Sequence, residues 1–240
     1  MSPSIPGSTG AATPLLASVL EELGRQIVAG DLPEGRTFTL QDISDRFGIS
    51  RTVARETMRA LEQMGLVSSS RRVGITVLPR THWAVFDPTI IEWRLGSERE
   101  RDLQLRSLTE LRIAVEPIAA ANAARNATEV QRRELVELAA TLRELGTGGR
   151  GTADEFLTAD IRFHQLLLEA SGNEMFIALA PTLVPALEGR THAGLMPQAP
   201  EEVALQAHER LAACIRDSDF DGAEDASREL LSEVRTALHA

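Results

Sequence analysis

The chain of 240 residues contains no lysine, so each of its 25 basic residues is an arginine. Its single cysteine, Cys214, excludes an internal disulfide framework, and its place in a helical apolar pattern marks it as a buried hydrophobe. No apolar run approaches membrane-spanning length, and the first residues lack the basic and apolar regions of a secretory signal. A cytoplasmic protein without a membrane partner is expected. The net charge of −10 argues against a general polyanion binder, but the charge is uneven. Residues 1–80 hold 9 arginines against 8 carboxylates, and the remainder holds 16 against 27. The acidic excess thus belongs to the second part, where it discourages non-specific contact with polyanions without preventing a specific docking. The length allows one small domain and one of ordinary size, each able to bury a core.

What is present is most informative between residues 39 and 77. Thr39 can cap a short helix with Asp42 three residues on, and Leu40, Ile43 and Phe47 form its apolar side. Gly48 and Ile49 make a tight turn, and Ser50 is a good N-cap for a second helix. That helix buries Ala54, Met58 and Leu61, spaced by four and three, and turns Arg51, Thr52, Arg55 and Arg59 to another face. Like charges stacked at four-residue intervals repel, so such a face makes sense opposite an anion. Two short strands, 66–69 and 75–78, then flank Arg71 and Arg72. A solvated arginine face on an ordinary helical hairpin would account for the helix alone. The basic hairpin that follows at once favours a winged helix-turn-helix.

Residues 1–13, rich in Ser, Pro, Gly and Ala, read as a disordered tail, and 14–79 as the winged domain. Within it Leu16, Val19, Leu20, Leu23 and Ile27 mark an amphipathic first helix closed by Gly30. Residues 80–101 are too dense in Trp83, Phe86, Ile90, Ile91 and Trp93 for a free linker, and predict a segment packed between domains with a short helix after Pro88. From 102 to 240 the pattern is helical, with candidate helices at 103–125, 129–145, 152–170, 174–188, 200–217 and 221–238 and loops at 146–151 and 190–198. The fold expected is mainly α: a winged helix-turn-helix followed by an antiparallel all-α bundle of about six helices.

Polar residues interrupt the inward stripes of that bundle. His164 lies in the stripe of Leu157, Ile161 and Leu168, and Asp160 shares its face one turn earlier. His208 lies within Ala204, Leu211 and Ile215, and Arg112 within Leu108, Val115 and Ala119. An ionised carboxylate on a core-facing side needs a partner or it neutralises. Singly, each has a plain account: Asp160 pairs with His164, His208 is a hydrogen-bonded core histidine, and Arg112 bridges to Glu116 one turn on. Jointly, Asp, two His and Arg converging on one interior point to a polar ligand pocket or a divalent-metal site. His82, His192 and His239 fall in linker, loop and terminus and are given no role.

Residues 27–77 resemble the DNA-binding domain of the GntR family of bacterial transcription regulators. The resemblance lies in Ala29-Gly30-Asp31-Leu32-Pro33-Glu34-Gly35, Gly48-Ile49-Ser50-Arg51-Thr52-Val53-Ala54-Arg55-Glu56 and Leu61-Glu62-Gln63-Met64-Gly65-Leu66-Val67. It implies that Ser50, Arg51, Thr52 and Arg55 touch operator DNA and that Arg71 and Arg72 lie at the wing. Where the family often has an arginine entering the first helix of the motif, this chain has Gln41.

The second part resembles the FCD effector-binding and oligomerisation domain of the FadR-like branch. The matching residues are 108–116 (Leu-Thr-Glu-Leu-Arg-Ile-Ala-Val-Glu), Asp160-Ile161-Arg162-Phe163-His164, Ala170-Ser171-Gly172-Asn173 and His208-Glu209-Arg210-Leu211. In metal-binding members of that branch, the Asp and His of the second motif and two later histidines hold a divalent ion, and an arginine equivalent to Arg112 faces a carboxylate effector. Here the last histidine is replaced by Leu230. That leaves either three ligands, Asp160, His164 and His208, for zinc or a similar ion, with water or the effector completing the sphere, or a site that has lost its metal. Asp87-Pro88 followed by Ile90-Ile91-Glu92-Trp93 also looks like regulators of sugar-acid catabolism.

The resemblance therefore implies a homodimeric repressor of a carboxylate or sugar-acid operon, released from its operator by a small carboxylate bound at Arg112. Two other readings stay open at this point. An open three-ligand metal could activate water in a hydrolase of small carboxylate derivatives. A metal-free regulator responding to acyl-CoA would use the same architecture.

Overall fold

The computed structural model describes residues 12–192, 200 and 202–239. The expected tail, 1–13, falls almost wholly outside them, as does the loop beyond residue 192. The chain divides into two compact units at the Asp102–Leu103 boundary.

The first unit opens with α1 (Ala12–Ala29), which buries Val19, Leu23, Ile27 and Val28. Strand β1 (Thr37–Phe38), with no counterpart in the sequence reading, pairs antiparallel with β3. Helix α2 (Leu40–Phe47) starts on a reciprocal capping box: Asp42 N donates to Thr39 Oγ1 at 3.1 Å, and Thr39 N to Asp42 Oδ2 at 2.7 Å. It stops at Gly48, whose φ of 62° is the left-handed conformation that a side chain resists. Ser50 Oγ then accepts from Val53 N at 3.3 Å to start α3 (Arg51–Gln63), whose inner stripe is Ala54, Met58 and Leu61. Strands β2 (Val67–Ser70) and β3 (Gly74–Val77) form the wing, with Val67 opposite Val77 and Ser70 opposite Gly74. The sheet order is β1-β3-β2.

The segment expected to lie between domains belongs to this first unit. A 3-10 turn at Arg80–His82 leads to α4 (Pro88–Gly96), capped by Asp87 with Pro88 in the first turn. Ile90 and Trp93 join the winged-domain core. Trp93 Nε1 donates to Glu21 Oε2 at 2.7 Å. Its ring lies so close over Gly24 that a Cβ there would meet ring carbons at 2.2 Å. Arg99 Nη1 donates to the Ala29 carbonyl at the end of α1, at 2.8 Å. Trp83, Ile90 and Trp93 thus serve the core of the first unit, whereas Phe86, counted in the same apolar segment, is 57% exposed.

The second unit holds α5 (Arg101–Asn126, almost entirely here), α6 (Glu129–Thr147), α7 (Asp154–Ala170), α8 (Glu174–His192), α9 (Glu202–Arg216) and α10 (Phe220–His239). Helix α6 packs on α7 and α9, α8 on α7, and α10 on α9. The core combines the small stripe Ala120, Ala123 and Ala124 with Leu135, Leu142, Phe163, Leu211 and Ile215. Small residues let neighbouring helices come close, and the leucines and phenylalanine fill the remaining space. Buried Arg132 ties helix ends together: it donates to the Ala124 and Ala127 carbonyls at 3.0 and 3.1 Å, and to those of Ile215 and Arg216. These carbonyls lie at helix ends, where internal partners run out, although that of Ile215 also accepts from Ser218 N, and a cation suits that end of the helix dipole.

Candidate functional site

On the first unit, the cap at Ser50 and the apolar stripe fix the roll of α3, so Ser50, Arg51, Thr52 and Arg55 are all exposed. Arg71 and Arg72 are exposed in the turn between β2 and β3. Among the described residues Arg55, Arg71 and Arg72 have no hydrogen bond or ion pair, which leaves three guanidinium groups open to an anion. Arg59, on the same helix, is already paired with Glu56 at 2.7 Å. Arg51 Nη2 donates to Gln41 Oε1 at 2.8 Å, and Gln41 Nε2 donates to Asp45 Oδ1 at 2.7 Å. Gln41 thus steadies the first arginine of α3.

In the second unit, Arg112, Asp160, His164 and His208 are all buried and lie together. Burial alone would raise the Asp160 pKa, but the imidazoles of His164 and His208 hold it well below the ordinary carboxylate range. His208 Nδ1 donates to the Ala204 carbonyl one turn earlier at 2.8 Å, which turns Nε2 into the site. That atom is buried without a hydrogen-bond partner, 3.3 Å from Asp160 Oδ1. His164 Nε2 lies 3.5 Å from the same oxygen. One donor atom from each of the three residues falls within 4.8 Å of the others. Two imidazole nitrogens and a carboxylate oxygen converging in a buried site suit a divalent ion of the zinc type, and His164 Nε2 also lies 3.0 Å from Arg112 Nη2. The three residues fit such an ion. Leu230 sits in the apolar core, 4% exposed, and offers no donor.

Arg112 has a closer partner than an effector. Its Nε donates to Glu116 Oε1 at 2.5 Å, and its Nη2 lies 3.3 Å from Glu116 Oε2 and 3.0 Å from His164 Nε2. Burial works against the Glu116 charge, yet Arg112 and then His164 bring its pKa down to about 2. Burial also favours neutral His164, but Glu116 and Asp160 outweigh it and raise its pKa above the ordinary value. Arg112 Nη1 remains buried with no partner. A small cavity beside the group is lined, among the described residues, by Arg112, Glu116, His164, Leu168, Leu183 and Leu187. Its volume of about 10 Å³ is room for one water molecule. Among the described residues, the cavity beside Arg112 is therefore small. The residue that the sequence reading underrated is Glu116, taken only as a local salt-bridge partner; its signal was a carboxylate one turn from Arg112 on an inward stripe.

A winged helix-turn-helix with an arginine-bearing reading helix, joined to an α-bundle with a polar core, defines a one-component DNA-binding regulator. Residues 15–77 match the gntR family of bacterial regulatory proteins, and residues 107–233 match the FCD domain. The chain is 30% identical over 221 residues to the galactonate operon transcriptional repressor of Escherichia coli K12, covering 90% of this chain and 93% of that protein. It is 26% identical over 230 residues to the HTH-type transcriptional repressor NanR of the same strain, covering 92% and 83%. Among solved structures it shares its fold with Lar, which controls expression of the Listeria monocytogenes agr system, at a TM-score of 0.60 and 14% identity over 99% of both chains. It also resembles E. coli McbR/YncC, at 0.51 and 19% over 94% and 97%. The chain belongs to the GntR family and carries an FCD domain. It is a transcription regulator, which sets aside the hydrolase weighed above. Among the described residues no helix is long and apolar enough to cross a membrane.

Proposed function

We propose that the protein is a cytoplasmic, homodimeric repressor of a sugar-acid or related carboxylate operon, released from its operator by a small hydroxylated carboxylate. Two copies pair through their helical units and present two α3 helices to a roughly palindromic site. Arg51 and Arg55 supply base or phosphate contacts, Ser50 and Thr52 fix the helix against the backbone, and Arg71 and Arg72 reach the backbone or minor groove.

The observation that carries the effector reading is the unpartnered, buried Nη1 of Arg112. A charged donor without an acceptor in the interior is costly, and a carboxylate is the acceptor that matches it. Charge balance agrees: Arg112 offsets Glu116, and a divalent ion on Asp160, His164 and His208 leaves one positive charge for a monoanion to neutralise. When bound, such an ion supplies a Lewis-acid anchor for carboxylate and hydroxyl oxygens. The relative named for the galactonate operon supports a sugar-acid class. The cavity described beside Arg112 is small, so an effector entering there would displace its lining and gain a preference between conformations.

The test titrates the protein–operator complex with a panel of hydroxylated carboxylates, including galactonate, and reads fluorescence anisotropy. One of them should release the DNA from wild-type protein, and Arg112→Ala should keep operator affinity but lose the response. A panel without effect, alongside release by acyl-CoA in the presence of chelator, would replace this reading with the metal-free one.

A further inference from the structure

Glu116 belongs neither to the three donors nor to the operator contact, yet it is enclosed as tightly as any charge among the described residues, at 1% exposed. It stands on α5, whereas His164 stands on α7. Its Oε1 accepts from Arg112 Nε at 2.5 Å, and its Oε2 lies 2.9 Å from His164 Nδ1. Both oxygens accept from the guanidinium fork, Oε1 from Nε and Oε2 from Nη2 at 3.3 Å. The second oxygen nevertheless lies nearer His164 Nδ1, at 2.9 Å, than Arg112 Nη2. The two imidazoles of the cluster are thus oriented differently. His208 Nδ1 donates to a neutral carbonyl of its own helix, whereas His164 Nδ1 makes no aligned hydrogen bond and has a charged oxygen of another helix 2.9 Å away.

We propose that Glu116 is a positioning residue of the metal site: its carboxylate holds His164 as the Nδ1–H tautomer, turns Nε2 toward Asp160 and His208, and strengthens that imidazole as a donor. This rests on the metal reading given above. A carboxylate behind a ligating histidine fixes its ring and raises its basicity. The need is greater in this chain because Leu230 contributes no fourth protein donor. The same carboxylate touches Arg112, so the proposed effector contact and the proposed metal ligand share one support.

The test uses the full-length protein. Zinc affinity is measured by competition with a chromogenic chelator, and the cobalt(II) form by its visible ligand-field bands, for wild type, Glu116→Gln, Asp160→Asn and Leu142→Val. Glu116→Gln should weaken zinc binding about 10- to 100-fold and alter the cobalt spectrum. Leu142→Val, a core substitution away from the polar cluster, should lower the melting temperature and leave both metal readouts as in wild type. If Glu116→Gln does not fold, Glu116→Asp keeps the charge but cannot span both partners, and the same loss of affinity is expected. Wild-type affinity and spectrum in the folded Glu116 variant, with binding abolished by Asp160→Asn, would overturn this inference alone. A wild-type protein that takes up neither ion would overturn the metal reading and this inference with it.

Discussion

Replacing Arg51 and Arg55 by alanine tests the reading face directly. Both side chains are exposed, and Arg51 has one hydrogen bond, to Gln41. Surface substitutions of this kind change stability by about 0.5 kcal/mol or less, so any loss of binding reports contact with DNA and not unfolding. In a paired assembly the double substitution removes four guanidinium groups. If all four read bases, at about 1–3 kcal/mol each, the loss is about 4–12 kcal/mol. Specific complexes exceed non-specific ones by about 4–10 kcal/mol, so even the lower figure brings the variant close to non-specific binding. If all four hold phosphates, the slope of log K against log salt flattens by about 3.6, at about 0.9 for each contact. An operator selected from a random-sequence library by the wild-type protein, followed by anisotropy over a salt series, separates these cases. A variant with the affinity and salt slope of wild type would refute the assignment of α3 as the reading helix.

Other expectations follow from single features. Arg132→Met strands the carbonyls at the ends of α5 and α9. It should cost about 2–5 kcal/mol, lowering the melting temperature of the helical unit by roughly 5–15 °C in calorimetry. Gly24→Ala gains about 1 kcal/mol of helix propensity but drives a methyl into the Trp93 ring. Urea denaturation should show a net loss of about 1–3 kcal/mol and altered tryptophan fluorescence, whereas a gain in stability would mean that α4 does not seat on α1 as described. Removing metal with chelator should lower the melting temperature of the wild type and leave Asp160→Asn unmoved; equal shifts in the two would count against Asp160 as a ligand.

The reading motif was legible because its information is local. Thr39, Asp42, Gly48 and Ser50 state helix starts and stops within a few residues, and the spacing of Ala54, Met58 and Leu61 decides which face carries the arginines. The polar residues of the bundle were legible for a similar reason: Arg112, Asp160, His164 and His208 interrupt apolar stripes whose period shows which way they face. The residue types and inward direction at those positions follow from the amino-acid order alone.

Partnership across helices was decided by tertiary structure. Nothing near His164 in the chain says that Glu116, on another helix, faces its Nδ1, or that Arg112 divides its donors between that carboxylate and the ring. Nothing near Arg132 says that it closes a helix end through a carbonyl 83 residues away. The two-residue β1 carries no periodic signal, and it exists because β3 presents an edge for it to pair with. The apolar segment at 80–101 predicted burial, but the surface that buries Trp93 was set by Gly24, where the absence of a Cβ admits the ring, and Phe86 stays exposed. Hydrophobic period and capping act over a single turn of chain. Ion pairs, ring stacking and helix-end closure depend on distances that exist only once the helices have packed.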